Sequence, residues 1–205
     1  MACMSNRTAI LTFSVSVAFL IPAVLSFAQL AAPVTAPPFH IKQISQLAVA
    51  PPDYRAMFNG SGNTTVPASD RWLRIETVFD STPDWADDVQ LKYYVLLNDG
   101  QQTRLFVGDV TYVNVAKGLG HLSAMYMPPN TLQRYGNGHA QVVGVQLFYK
   151  GQLIDQGSTP PTPDRWWERY TTSVSGFLVT PQHTPWSLGA YSRYEQVKPS
   201  AVTTR

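Results

Sequence analysis

The chain has 205 residues, 44% of them hydrophobic and 14% charged, with a formal net charge of +2. This apolar content excludes wholesale disorder, the near-balanced charge excludes a strongly basic nucleic-acid binder, and the length fits one domain with a small appendage. Sixteen Pro, thirteen Gly and 12% aromatic residues suit a loop-rich β protein rather than a helical bundle.

Residues 1–28 read as an export signal. Arg7 charges a short polar start, residues 8–27 carry no charge, and Ser26-Phe27-Ala28 offers small residues at both recognition positions of a cut before Gln29. Pro22 would end the signal helix just upstream. An apolar run of about 20 residues could also span a bilayer, but Pro22, the interspersed Ser and Thr and the small-residue site favour cleavage. A type IV prepilin leader needs a Gly at its cut, and the first Gly is Gly60. A lipoprotein signal needs a Cys after the apolar run, and the only Cys is Cys3, ahead of it. Cleavage therefore leaves no Cys, which removes disulfides, thiol catalysis and Cys–zinc binding and suits a bacterial periplasm. It also leaves no membrane span.

Residues 29–39, with Pro33, Pro37 and Pro38, read as an extended linker. The β domain is expected over 40–180, opening with a strand at 40–50 and a long loop at 51–67. Leu73, Ile75, Thr77 and Phe79 alternate with Arg74 and Glu76, the pattern of a strand with one buried and one wetter face. Residues 80–88, carrying Pro83, read as a turn. Val89, Leu91, Tyr93, Val95 and Leu97 give a second strand, closed by the tight-turn signal Asn98-Asp99-Gly100. Residues 103–107 and 110–115 supply two strands, or one bent at Gly108.

Gly118-Leu119-Gly120 reads as a plain turn before a short strand at 122–127. Pro128-Pro129-Asn130 stops that strand, and one helical turn is expected at 131–135. Val143, Val145, Leu147 and Tyr149 mark the strongest late strand, joined through Lys150-Gly151 to a hairpin partner at 152–156. Residues 158–164 form a Pro-rich loop, 174–180 a last strand, and 181–205 a flexible polar tail. Seven or eight short strands with almost no helical periodicity predict an all-β, immunoglobulin-like antiparallel β-sandwich.

No catalytic constellation stands out. His40, His121, His139 and His183 are far apart and share no metal-ligand spacing. Asp80, Asp84, Asp87 and Asp88 crowd one stretch, but without the Asp-x-Asp-x-Asp-Gly layout that arranges calcium ligands around a sharp turn. Glu76 and Asp109 are carboxylates of the kind glycoside hydrolysis needs in facing pairs, and nothing in the sequence pairs them. No Gly-x-Ser-x-Gly elbow and no Gly-rich loop entering a helix occurs. The reading is no catalytic residue, no metal and no cofactor. The most unusual stretch is 159–170, where Arg165, Trp166, Trp167, Arg169 and Tyr170 are residue types that dominate interface hot spots. They form the candidate partner-binding surface. The alternative is that one Trp caps the open end of the sandwich while Arg165 and Arg169 pair with Glu168 or Asp164.

Several strings together resemble a known family: Trp72-Leu73-Arg74-Ile75-Glu76, Lys92-Tyr93-Tyr94-Val95-Leu96, Val110-Thr111-Tyr112-Val113-Asn114, Met125-Tyr126-Met127-Pro128-Pro129 and Arg165-Trp166-Trp167-Glu168. The family is one of pilus-like exported proteins from mucin-degrading gut bacteria and their relatives, encoded beside type IV pilus machinery. The resemblance covers roughly residues 73–170. It implies an immunoglobulin-like sandwich with a non-enzymatic, pilus-associated accessory role in the periplasm or at the cell surface. The expected partners are other envelope or pilus proteins and surface glycans. It supplies no active-site residue. A second reading is a carbohydrate-binding module or small glycosidase built on the same aromatic loop.

Overall fold

The computed structural model describes residues 36–52, 67–162, 165–188 and 193–199. The export signal, most of the expected linker and most of the loop at 51–67 lie outside these residues. The folded unit begins at Ala36.

Among the described residues, eight strands make two sheets. In the first, β1 (Phe39–Val49) pairs antiparallel with β2 (Trp72–Ala86), which pairs antiparallel with β5 (Val115–Met127). In the second, β7 (Gln152–Thr159), β6 (Val142–Tyr149), β3 (Val89–Asn98) and β4 (Thr103–Tyr112) follow in antiparallel order, with β8 (Ser173–Ser175) parallel on the edge of β4. The chain crosses from one sheet to the other between β2 and β3, between β4 and β5 and between β5 and β6, in the manner of an immunoglobulin-like sandwich. The alternating residues face inward as predicted: Leu73, Ile75 and Phe79 of β2, Leu91, Val95 and Leu97 of β3, and Val143, Val145 and Leu147 of β6 share one core. Each such side chain, fully buried, contributes about 1.5–3 kcal/mol. The helix α1 (Pro129–Gly136) caps the core with Leu132 and ends at Asn137 in the left-handed region, φ 49°.

Polar groups inside the core bind one another. The hydroxyls of Tyr93 and Tyr112 lie 2.6 and 2.7 Å from Ser123 Oγ, all three residues being fully buried. Burial pushes the Tyr93 phenol up to about 12 and raises Tyr112 as well, because a phenolate here would be desolvated.

The structure differs from the sequence expectation in several places. Phe39 lies within the span read as linker, yet it opens β1 and packs fully buried against Phe79 and Tyr149, with ring centroids 6.3 and 5.0 Å away. The stretch 80–88 is mostly strand. β2 runs on to Ala86, and Pro83 sits in a register break between the paired residues Ser81 and Trp85, where its missing N–H breaks no ladder bond. β4 is one strand. Gly108 stays in it because a Cβ there would meet Leu178 Cβ at 2.7 Å and Met125 Cε at 2.9 Å. Gly118-Leu119-Gly120 belongs to β5, whose long arm follows β2. The hairpin partner of β6 reaches Thr159. The last strand is short, because Gly176 takes φ +85° and turns the chain so that Val179 bridges Tyr126 of the opposite sheet.

The span read as a flexible tail is the largest difference. Its described residues, 181–188 and 193–199, pack on the sandwich. Val197 bridges Tyr112, the Lys198 amide donates to Thr111 O at 2.7 Å, and the Val113 amide donates to Gln196 O at 3.0 Å. The Glu195 amide reaches Leu122 O at 3.4 Å. This segment thus covers backbone groups of both β4 and β5 on one side of the sandwich. On the other side Asp155 of β7 accepts from the Ile41 amide of β1 at 2.7 Å and contacts His40 Nδ1 at 2.8 Å.

Candidate functional site

The segment singled out by sequence folds as a short 3-10 helix, Trp166–Arg169. Both tryptophans are turned inward, at 6% and 5% exposure. They lie on the outer face of the five-stranded sheet, against Tyr94, Leu96 and Leu105. Trp167 stacks on Tyr94 at 4.7 Å and 10°, and Trp166 meets Trp167 edge-on at 5.5 Å. Gly144 makes the room: a Cβ there would stand 2.5 Å from the Trp167 ring. Tyr94 donates its hydroxyl to Gln146 Oε1 at 2.7 Å. Its pKa is raised, first by burial and then by the charge of Glu168.

The tryptophans therefore form a second small core on the outer face of the sheet rather than an exposed aromatic platform or a cap over the open end of the sandwich, and of the expected arginine pairs only Arg165–Glu168 is present among the described residues. What faces solvent is polar. Arg165 binds Glu168 Oε1 at 3.2 Å and Gln156 Oε1 at 3.2 Å. Arg169 is exposed and pairs with no described residue, and Tyr170 is half-buried with its ring 6.4 Å from Trp166. Asp164 lies outside the described residues.

The other sequence candidates go to separate places. His40 pairs with Asp155, His121 with Glu195 at 2.7 Å, and His183 with Thr180 Oγ1 at 3.1 Å. The four clustered aspartates do not converge. Asp80 accepts from the Gly120 amide at 3.0 Å, which lowers its pKa, and lies 3.4 Å from Lys42. Asp84 lies 3.9 Å from Lys117, Asp87 accepts from the Asn114 amide at 2.9 Å, and Asp88 binds Lys198. Among the described residues no group of three or more potential metal ligands forms. Glu76 and Asp109 belong to different sheets, and Asp109 accepts from Gln90 at 3.0 Å.

Glu76 leads to a region that the sequence reading missed. It projects from the outward face of β2, yet it is buried, because the C-terminal segment lies over it. Arg193 and Arg74 approach its two carboxylate oxygens at 3.3 and 3.5 Å. Tyr194 donates to it at 2.9 Å, and Tyr126 donates in turn to the Tyr194 oxygen at 3.0 Å. Burial raises both phenols, Tyr194 strongly. Trp186 stacks on Tyr126 at 5.0 Å and meets Trp72 edge-on at 5.9 Å.

Beside this anchor lies a cleft of about 500 Å³, lined by Trp186, Tyr194, Glu195, Gln182, Gln196 and Ser187 together with Pro181, Val197 and Pro199. A second, more open cleft of about 680 Å³ shares Gln182, Val197 and Pro199 with the first and reaches Asp109, His183 and Lys198. The signal for this site was present in the sequence. A stretch holding Trp186 and Tyr194 has apolar area to bury and is unlike a disordered tail.

A protein-family model matches residues 32–201. No curated protein matches the chain. A crystal structure of a protein from Akkermansia muciniphila superposes with a TM-score of 0.63 at 18% identity, covering 79% of this chain and 93% of that one. At that identity the likeness establishes the shared fold.

Proposed function

The chain belongs to the family whose model matches residues 32–201, and from that membership we propose that it is an exported, non-enzymatic binding or structural protein acting through the surface of its sandwich. The finer reading is an accessory, pilus-associated component of the periplasm or cell surface that contacts other envelope or pilus proteins. The fold shared with a pilus-associated protein of Akkermansia muciniphila supports it.

The observation that carries the reading is how the ionisable side chains are used. Asp155 ties β7 to β1, Glu76 anchors Arg193 and Tyr194, Glu195 holds His121, and Asp88 holds Lys198. These groups fix strands and the C-terminal segment in place, which is the work of a scaffold. On this reading the 165–170 segment meets a partner with Arg165, Arg169 and the edge of Tyr170, while Trp166 and Trp167 hold that surface rigid.

The test is capture of envelope proteins by the wild-type chain and by Arg165→Glu/Arg169→Glu, with the recovered proteins identified by mass spectrometry. The expected result is a pilus or envelope component that the double variant loses. Recovery of no such component, or turnover of a substrate that disappears on replacing one acidic residue, would overturn the reading. Mass spectrometry of the mature N-terminus tests export, with Gln29 as the expected first residue.

A further inference from the structure

Several hydrogen-bonding side chains that line the 500 Å³ cleft have no partner among the described residues. The Trp186 indole N–H, the Gln182 amide and the Ser187 hydroxyl bond to no described residue. Gln196 uses its Oε1 to accept from Asn114 Nδ2 at 2.9 Å and leaves its NH2 group over. Glu195 uses Oε1 for His121 and leaves Oε2 over. The cleft therefore offers both donors and acceptors, beside apolar lining from Pro181 and Val197. Its volume lies in the range of small-molecule sites.

Two features narrow the ligand. No Lys or Arg is among the described lining residues, so those residues offer no cation to a phosphate or carboxylate. The backbone of 195–198 is already bonded to β4 and β5 through the Glu195 and Lys198 amides and the Gln196 carbonyl. On that edge no peptide can add as a strand, because the groups it would pair with are already used. What remains is recognition by side chains alone, with a rigid aromatic wall and scattered amide, hydroxyl and carboxylate groups. That set suits a neutral ligand with many hydroxyls and an apolar ring face.

We propose that the cleft between Trp186, Gln182 and Gln196 is a binding site for a neutral glycan. The proposal rests on the binding-protein reading above and names one ligand class for it, at a place distinct from the 165–170 segment. Gln182 and Ser187 hydrogen-bond the sugar hydroxyls, Glu195 Oε2 accepts from one of them, and Trp186 fixes the ring.

The experiment is a titration of the full mature chain with lactose, N-acetyllactosamine, chitotriose and maltotriose, followed by tryptophan fluorescence and by NMR. A Pro-rich peptide and inorganic phosphate serve as comparison probes. The expected result is saturable binding of at least one neutral glycan, weakened about tenfold in Gln182→Ala/Ser187→Ala and unchanged in Trp85→Ala, which alters an exposed residue on β2 outside the cleft lining. Neither Gln182 nor Ser187 has a side-chain partner among the described residues, so the double variant should keep the wild-type thermal transition. Silence of all four glycans, equal binding by wild type and the double variant, or binding of only the peptide or phosphate would overturn the proposal. Envelope capture by the wild-type chain separates the two readings: recovery of a pilus or envelope protein together with silence of all four glycans removes the glycan site and leaves the binding-protein reading standing.

Discussion

Two aromatic segments of this chain have opposite fates. Trp166 and Trp167 are sealed over Gly144 among Tyr94, Leu96 and Leu105, and their surroundings are apolar. Trp186 and Tyr194 also lie on a sheet, but half-buried, with a carboxylate, two arginines and several free polar groups around them. The Trp-Trp pair drew attention in the sequence because it is rare, and it turns out to be core. The aromatics of the supposed tail hold the open cleft. Residue type alone does not separate an aromatic that fills space from one that borders it. The neighbours supplied by distant strands do.

That contrast can be tested through stability. Trp167→Ala removes a buried ring stacked at 4.7 Å on Tyr94 and should cost about 3–5 kcal/mol. Trp186→Ala should cost about 1–2 kcal/mol, since only part of its area is removed from water. Equilibrium denaturation of both variants checks the order, and a reversed order would break the comparison.

Next in size is Tyr194→Phe. It removes the hydroxyl between Tyr126 and Glu76 and should cost about 1–3 kcal/mol, because Glu76 then stays buried with one donor fewer. Amide exchange should rise at Lys198 and Glu195, whose backbone bonds the segment makes, and remain unchanged on β3. Faster exchange on β3 would show that the segment and the sandwich open as one unit.

High pH gives a third test. The folded-state pKa of Tyr93 is raised to about 12 from 10.0 by burial. A raised folded pKa means that this contribution is fully present below pH 10 and is lost as pH climbs from 10 toward 12. Stability should fall across that window, and the phenolate absorbance of Tyr93 and Tyr112 should appear only together with unfolding. Early titration of both phenols in the folded protein would show that water reaches the Ser123 cluster.

The smallest effect on stability belongs to Arg165→Glu/Arg169→Glu. Both side chains are exposed, so the change should stay within about 0.5 kcal/mol while partner capture is lost. A large stability loss would mean that the arginines brace the tryptophan helix rather than meet a partner.

Alternation in the sequence was enough to orient β2, β3 and β6, because a period of two puts every second side chain on the same face whatever packs there. It also marked the Asn98-Asp99-Gly100 turn, where the Asp99 carboxylate accepts from the Gln101 and Gln102 amides, and it excluded a helical fold. It could not say what covers the outer face of a sheet. Glu76 read as the wet side of a strand and is buried by residues more than a hundred positions away. Pro83 read as a turn and sits in a bulge that only the register with β5 reveals. Local sequence thus determined which side of each strand is apolar, since that depends on neighbours two residues apart. Tertiary structure decided which aromatics seal a face, which leave a cleft and whether the C-terminal segment docks, because each depends on segments that meet only after folding.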